Sequence, residues 1–101
     1  MSNVEHLDIA STTREFRDTT AVATLRRVIF TDASRPSHVI VHVDIRPRGR
    51  LVYWQRPTSR QLRTLAVKLA RQHGYRLDRT RHGVVSASHG GWYVTYPQRQ
   101  F

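Results

Sequence analysis

The chain has 101 residues, 39% of them hydrophobic, the scale of one domain with a single modest core. It has no cysteine, which excludes a disulfide framework, a thiolate zinc site and a cysteine nucleophile, and fits a reducing compartment. The net charge is +10, and all but Lys68 of the 17 basic side chains are arginine, a composition that favours polyanionic partners.

Residues 1–19 are polar, with scattered Val4, Leu7, Ile9 and Phe16, and read as a loose arm or one short helix. Residues 1–18 carry a net charge of −2, so the arm could lie on a basic surface and screen it. The opening MSNVEHLDIAS lacks the apolar stretch of a signal peptide. No apolar run approaches the roughly 18–20 residues that span a bilayer. The expectation is a cytoplasmic protein with no membrane partner.

TAVATLRRVIFT, residues 20–31, is rich in β-branched side chains and reads as a strand. After the turn DASRPS, HVIVHVDIRP alternates cleanly, with Val39, Val41, Val43 and Ile45 on one side and Ile40, His42 and Asp44 on the other. Pro47 and Gly49 break this strand, and RLVYWQR resumes it. Residues 38–56 therefore read as a hairpin whose tip carries Arg46, Arg48 and Arg50.

Ser59 is a good N-cap for a helix over 59–73. Leu62, Leu65, Ala66, Leu69 and His73 share one face, while Arg60, Arg63, Lys68 and Arg71 spread over the other. Gly74 follows as a C′ residue. Val67 is anomalous, because it falls among the basic residues and calls for a covering loop or a partner. YRLDRT, VVSAS and WYVTYP then read as a small antiparallel meander, with glycines at the breaks supplying the positive φ of tight turns. The predicted order is β-β-β-α-β-β-β: an α+β fold with an antiparallel sheet of five to six short strands and one main amphipathic helix. Residues 20–97 form its single domain, preceded by the arm and followed by a tail at 98–101.

The positive charge is concentrated. Between residues 46 and 81 the only acid is Asp78, against Arg46, Arg48, Arg50, Arg56, Arg60, Arg63, Lys68, Arg71, Arg76, Arg79 and Arg81. Tyr53, Trp54, Tyr75, Trp92, Tyr93 and Tyr96 are interleaved with or follow these cations, and in so small a domain most of them must serve as core. Arginines neutralise phosphates and release counterions, and exposed aromatics stack on bases. Arg46, Arg48, Arg50, Arg60, Arg63, Lys68, Arg71, Arg76, Arg79 and Arg81 are the expected nucleic-acid-binding residues, with DNA ahead of RNA.

Other chemistry is weakly represented. His82 and His89 would lie on the order of 20 Å apart along one strand, and His38 and His42 roughly 13 Å, so neither pair shares a metal. Asp44 and Asp78 are the only acids after residue 33, too few for a two-metal nuclease. No nucleophile elbow is present. No cofactor and no metal are expected, and the chain reads as a non-enzymatic factor of a phage or mobile element. The alternative is a module that binds and inhibits an acidic host protein; a homodimer is compatible with either.

One resemblance points to an enzyme. LAVKLARQHGYRLDRT followed by SASHGGWYVTYP, within residues 62–97, resembles the HicA-type mRNA interferase toxins: a helix, a glycine-aromatic pair opening a meander, then a Ser-His step. The alignment needs an insertion of about five residues after Arg79 and leaves the first 56 residues unmatched. The resemblance implies a double-stranded-RNA-binding-like fold and ribonuclease activity with His89 as the catalytic residue. Read as local sequence, His89 is a turn residue before two glycines.

Overall fold

A computed structural model describes residues 4–32, 36–48, 57–88 and 91–100. Among these residues six strands, all paired antiparallel, form one sheet with one helix: β1 (Val4–Glu15), β2 (Thr19–Phe30), β3 (His38–Pro47), α1 (Ser59–Gln72), β4 (Tyr75–Leu77), β5 (Val84–Ser88) and β6 (Gly91–Gln100). The order across the sheet is β1-β2-β3-β6-β4, with β5 also on β6. The fold class is therefore α+β, as the sequence predicts.

The core lies between α1 and one sheet face. β3 alternates from Val39 to Ile45 and β2 as far as Leu25, so Ala21, Ala23, Leu25, Val39, Val41, Val43 and Ile45 are buried beneath the helix. Val94 and Tyr96 of β6 continue that layer. From above, α1 contributes Leu62, Leu65, Ala66, Leu69 and Ala70. Each leucine buried here stabilises the fold by about 1.5–3 kcal/mol. Ala70, rather than His73, completes the stripe; His73 is the exposed C-cap.

The helix begins one residue earlier than Ser59 suggests. Thr58 is the N-cap: its Oγ1 accepts from the Gln61 amide at 3.2 Å, and the Gln61 Oε1 accepts from the Thr58 amide at 2.8 Å. This reciprocal capping box satisfies two donors, where a serine at 59 alone offers no such return bond. Gly74, at φ +83, closes the other end in the left-handed conformation.

Three expectations are corrected. Residues 4–15 are neither a loose arm nor a helix but β1, paired along β2. A bulge at Ile9 breaks the alternation that would have betrayed the strand, and most of its side chains stay exposed. The hairpin over 38–56 does not form on β3, because β2 and β6 occupy both of its edges; residues 49–56 themselves lie outside the described residues. The C-terminal strands are not a meander. β6 is long enough to seat β5 at residues 91–95 and β4 at 98–100, end to end along one edge.

Gly83 serves this arrangement by close approach rather than by positive φ. A Cβ there would lie 2.7 Å from Tyr96 Cε1 and 3.0 Å from Val94 Cγ1. Gly83→Ala is expected to lower unfolding free energy by about 1–3 kcal/mol, since the buried Tyr96 ring must move. Thr58→Ala should cost about 1 kcal/mol. Urea unfolding curves check both; a neutral Gly83→Ala would contradict the close passage of the chain over β6.

Candidate nucleic-acid interface

Packing the apolar stripe of α1 onto the sheet points its other side to solvent. Arg60, Arg63, Lys68 and Arg71 are all exposed there. They border a shallow groove of about 480 Å³ together with Thr64 and Val67. A second groove, about 520 Å³, runs between α1 and the β4 edge and brings Arg63 and Arg71 together with Arg76, Arg79 and Arg99. Val67, anomalous in the sequence, is half-buried and lines both grooves. The two grooves share Arg63 and Arg71, so the cations form one continuous surface.

Beside the N-terminus of α1 a larger cleft, about 1120 Å³, is lined by Arg60, Arg63 and His82 over Val85, Val94 and Tyr96. Burial pushes the Tyr96 phenol above its ordinary pKa, and the Arg63 guanidinium pulls it partly back. Arg63 thus links all three concavities and reaches toward the core edge.

The sign of this surface is nearly uniform. Among the described residues, no carboxylate pairs with Arg60, Arg63, Lys68 or Arg71. Asp78 is the acid at its margin, 3.1 Å from Arg99 Nη2. The Thr80 hydroxyl and amide donate to Asp78 Oδ1 at 2.6 and 3.0 Å, and with Arg99 they hold its carboxyl below the ordinary range. The acidic N-terminal segment does not screen the patch through ion pairs: Asp8 binds Arg26 at 2.6 Å and Glu15 binds Arg48 at 3.6 Å.

The other expected cations divide. Arg79 and Arg81 are exposed in the β4–β5 loop, and Arg76 is exposed on β4 opposite Arg99. Arg46 is exposed on the sheet face away from the helix. Arg48 serves the fold: its guanidinium donates to the Phe16 and Arg17 carbonyls, and its amide donates to the Asp18 carbonyl at 2.9 Å. It clamps the β1–β2 turn. Arg50 and His89 lie outside the described residues. Arg99, far along the chain from the cation-rich segment, joins the groove because β6 pairs with β4.

Tyr75 and Tyr96 are core, as a small domain requires, and Arg27 Nη2 donates to the Tyr75 hydroxyl at 3.0 Å. The face away from α1 holds a polar row: the alternation of β3 places His42 and Asp44 together there, and Thr95 joins them through the β3–β6 pairing. His42 Nδ1 lies 3.2 Å from Thr95 Oγ1, and His42 Nε2 lies 3.5 Å from Asp44 Oδ1, with Tyr93 against the imidazole ring. The order Thr–His–Asp has the look of a nucleophile relay. Acyl transfer also needs free amides aimed at an oxyanion, but Thr95 sits on β6 between β3 and β5, where backbone groups are engaged in the ladders. The row reads as cross-strand pairing on a solvated sheet face. Among the described residues no group of three His, Asp or Glu converges on a metal position, and no helix is long and apolar enough to cross a membrane.

Comparison with protein families, with characterised proteins and with solved structures finds no match to this chain.

Asp78 gives a pH prediction. Its folded pKa is depressed, so its contribution is present above the ordinary carboxylate value of about 3.9 and disappears as pH falls through the lower folded value. Asp78→Asn should melt below wild type at neutral pH, and the gap should close on the acid side of pH about 4. Thermal melts of both proteins across pH read this directly; a gap independent of pH would assign Asp78 no such role.

Proposed function

We propose that the chain is a small basic nucleic-acid-binding protein that holds its ligand along the outer face of α1 and the adjoining groove at β4. The observation that carries this reading is the continuity of the patch: cations from the helix, β4, the β4–β5 loop and β6 share grooves, and those on the helix lack carboxylate partners among the described residues. Such a surface is unfavourable for the isolated protein. Arg60 and Arg63 stand three residues apart, as do Lys68 and Arg71, and like charges at that spacing repel. The first turn of α1 holds Arg60 and no acid, against the preference of the helix dipole. A phosphate backbone laid across this face would relieve both costs.

Duplex DNA is favoured over RNA, because a helix presenting cations fits the wide major groove of B-form DNA, whereas the RNA major groove is deep and narrow. Phosphates, rather than base edges, are the groups these cations engage. Small size and arginine richness suit an accessory factor of a phage or mobile element acting in the bacterial cytoplasm.

Fluorescence anisotropy with labelled duplex DNA, single-stranded DNA and RNA tests the reading. A protein neutralising about six phosphates should lose on the order of a thousandfold in affinity between about 50 and 200 mM salt. Replacing Arg60, Lys68 and Arg71 together by glutamate should weaken binding to every sequence and reduce the log–log salt slope by about one for each phosphate no longer neutralised, with the fold intact by circular dichroism. Asp78→Ala, which removes the acid at the margin, should tighten binding. Unchanged affinity in the triple variant would remove this face as the site. Binding to acidic proteins but to none of the nucleic acids would favour the protein-partner alternative.

A further inference from the structure

The other edge of the sheet carries a second surface. β1 pairs with β2 on its inner side, and among the described residues no strand pairs on its outer side. Free strand edges are usually blunted by short length, proline, charged side chains or bulges. β1 carries charges of both signs and a bulge at Ile9, but it is 12 residues long and contains no proline, so its outer edge offers a long ladder to a partner whose charges match. It also exposes two large apolar side chains, Leu7 at 56% and Ile9 at 38%.

The bulge at Ile9 decides what can pair there. Glu5 stands opposite Ile29 of β2, and Arg14 opposite Ala21. Ala21 lies in the layer beneath α1, and Ile29 alternates in phase with Arg27, which stands opposite buried Val39 and bonds Tyr75, so Glu5 and Arg14 share a sheet face. In a regular strand the odd separation between them would place them on opposite faces; the extra residue at the bulge brings them into phase.

We infer that β1 is the dimerisation edge of this chain, pairing antiparallel with β1 of a second copy about a two-fold axis that passes between Ile9 and Ala10. In that register Glu5 meets Arg14 of the second copy, and Arg14 meets Glu5 of the second copy. Leu7 meets Thr12, Asp8 meets Ser11, and Val4 meets Glu15 of the second copy. By the β2 register, each of these matched pairs lies on one face. A shift of one residue sets helix-side residues against those of the opposite face. A shift of two keeps the faces but separates Glu5 from Arg14 and shortens the ladder.

Charge supports the same occupant. Asp8 and Glu15 are already paired within the chain, with Arg26 and Arg48. Arg14 lies over the Phe16 ring, 4.7 Å from its centroid, with no carboxylate partner among the described residues; Glu5 and Arg14 then supply opposite signs across the axis, once on each side. Because the axis is normal to the sheet, both copies of α1 emerge on the same side of one continuous sheet. This pairing is independent of what the basic face binds.

Sedimentation velocity of the full chain, without nucleic acid, tests it. Wild type should form a dimer. Glu5→Arg and Arg14→Glu should each raise the dimer dissociation constant about tenfold or more, since each sets like charges opposite one another twice, and the double exchange should restore it. Register is read separately in this cysteine-free chain. Leu7→Cys with Thr12→Cys should oxidise to a covalent dimer, because within one chain these positions lie roughly 16 Å apart, beyond disulfide reach. Leu7→Cys with Thr13→Cys, on opposite faces, should not. A wild-type monomer throughout a concentration series would overturn the inference. So would a dimer indifferent to both charge reversals, or equal cross-linking of the two cysteine pairs. Should a charge reversal unfold the chain, the cysteine pair decides alone.

Discussion

Leu62, Leu65, Ala66, Leu69 and Ala70 can leave water only by lying on the sheet, and that requirement turns the cations of α1 outward. The helix has no other apolar stripe to offer, so its rotation about its own axis is settled by burial. The alternating valines of β3 and the alanines of β2 provide the flat floor on which it rests. The charged face follows from packing: the same contacts that stabilise the domain also place Arg60, Arg63, Lys68 and Arg71 side by side in water.

This arrangement sets local stability against surface potential. A helix made for stability alone would put acids in its first turn and alternate signs along its exposed side. α1 does neither. It recovers some of the loss through the Thr58–Gln61 capping box, which seals the N-terminus by hydrogen bonding instead of charge. Asp78, the acid nearest the patch, is drawn into a turn with Thr80 and an ion pair with Arg99. The positive potential is left largely intact, a departure from local rules of the kind found where proteins meet ligands.

Charge also separates across the sheet. β1, at one edge, carries Glu5, Asp8 and Glu15 against Arg14, whereas β4 and its neighbours at the other edge carry Arg76, Arg79 and Arg99 against Asp78. Asp8 and Glu15 of β1 are engaged locally, with Arg26 and Arg48, and so do not mask the distant patch. The face opposite α1 is different again. His42 meets Thr95 across the β3–β6 pair and Asp44 along β3 itself, and the backbone of all three belongs to paired strands.

The amphipathic helix, the β2 and β3 strands and the α+β class were legible because each rests on a periodicity carried by consecutive residues. So was the crowding of arginine between residues 46 and 81. β1 was not legible, since a solvated edge strand interrupted by a bulge has no clean alternation to read. Nor was the seating of β4 and β5 along one edge of β6, which depends on strand length and on Gly83 passing close to Tyr96. Chain order alone could not say that Arg48 would be spent on the β1–β2 turn, or that Arg99 would join Arg71. By itself the sequence determined which residues must be buried and how much positive charge had to be accommodated, because hydrophobicity and formal charge are properties of each residue. Only the tertiary structure decided which cations became neighbours, because that depends on strand pairing between segments far apart in the chain.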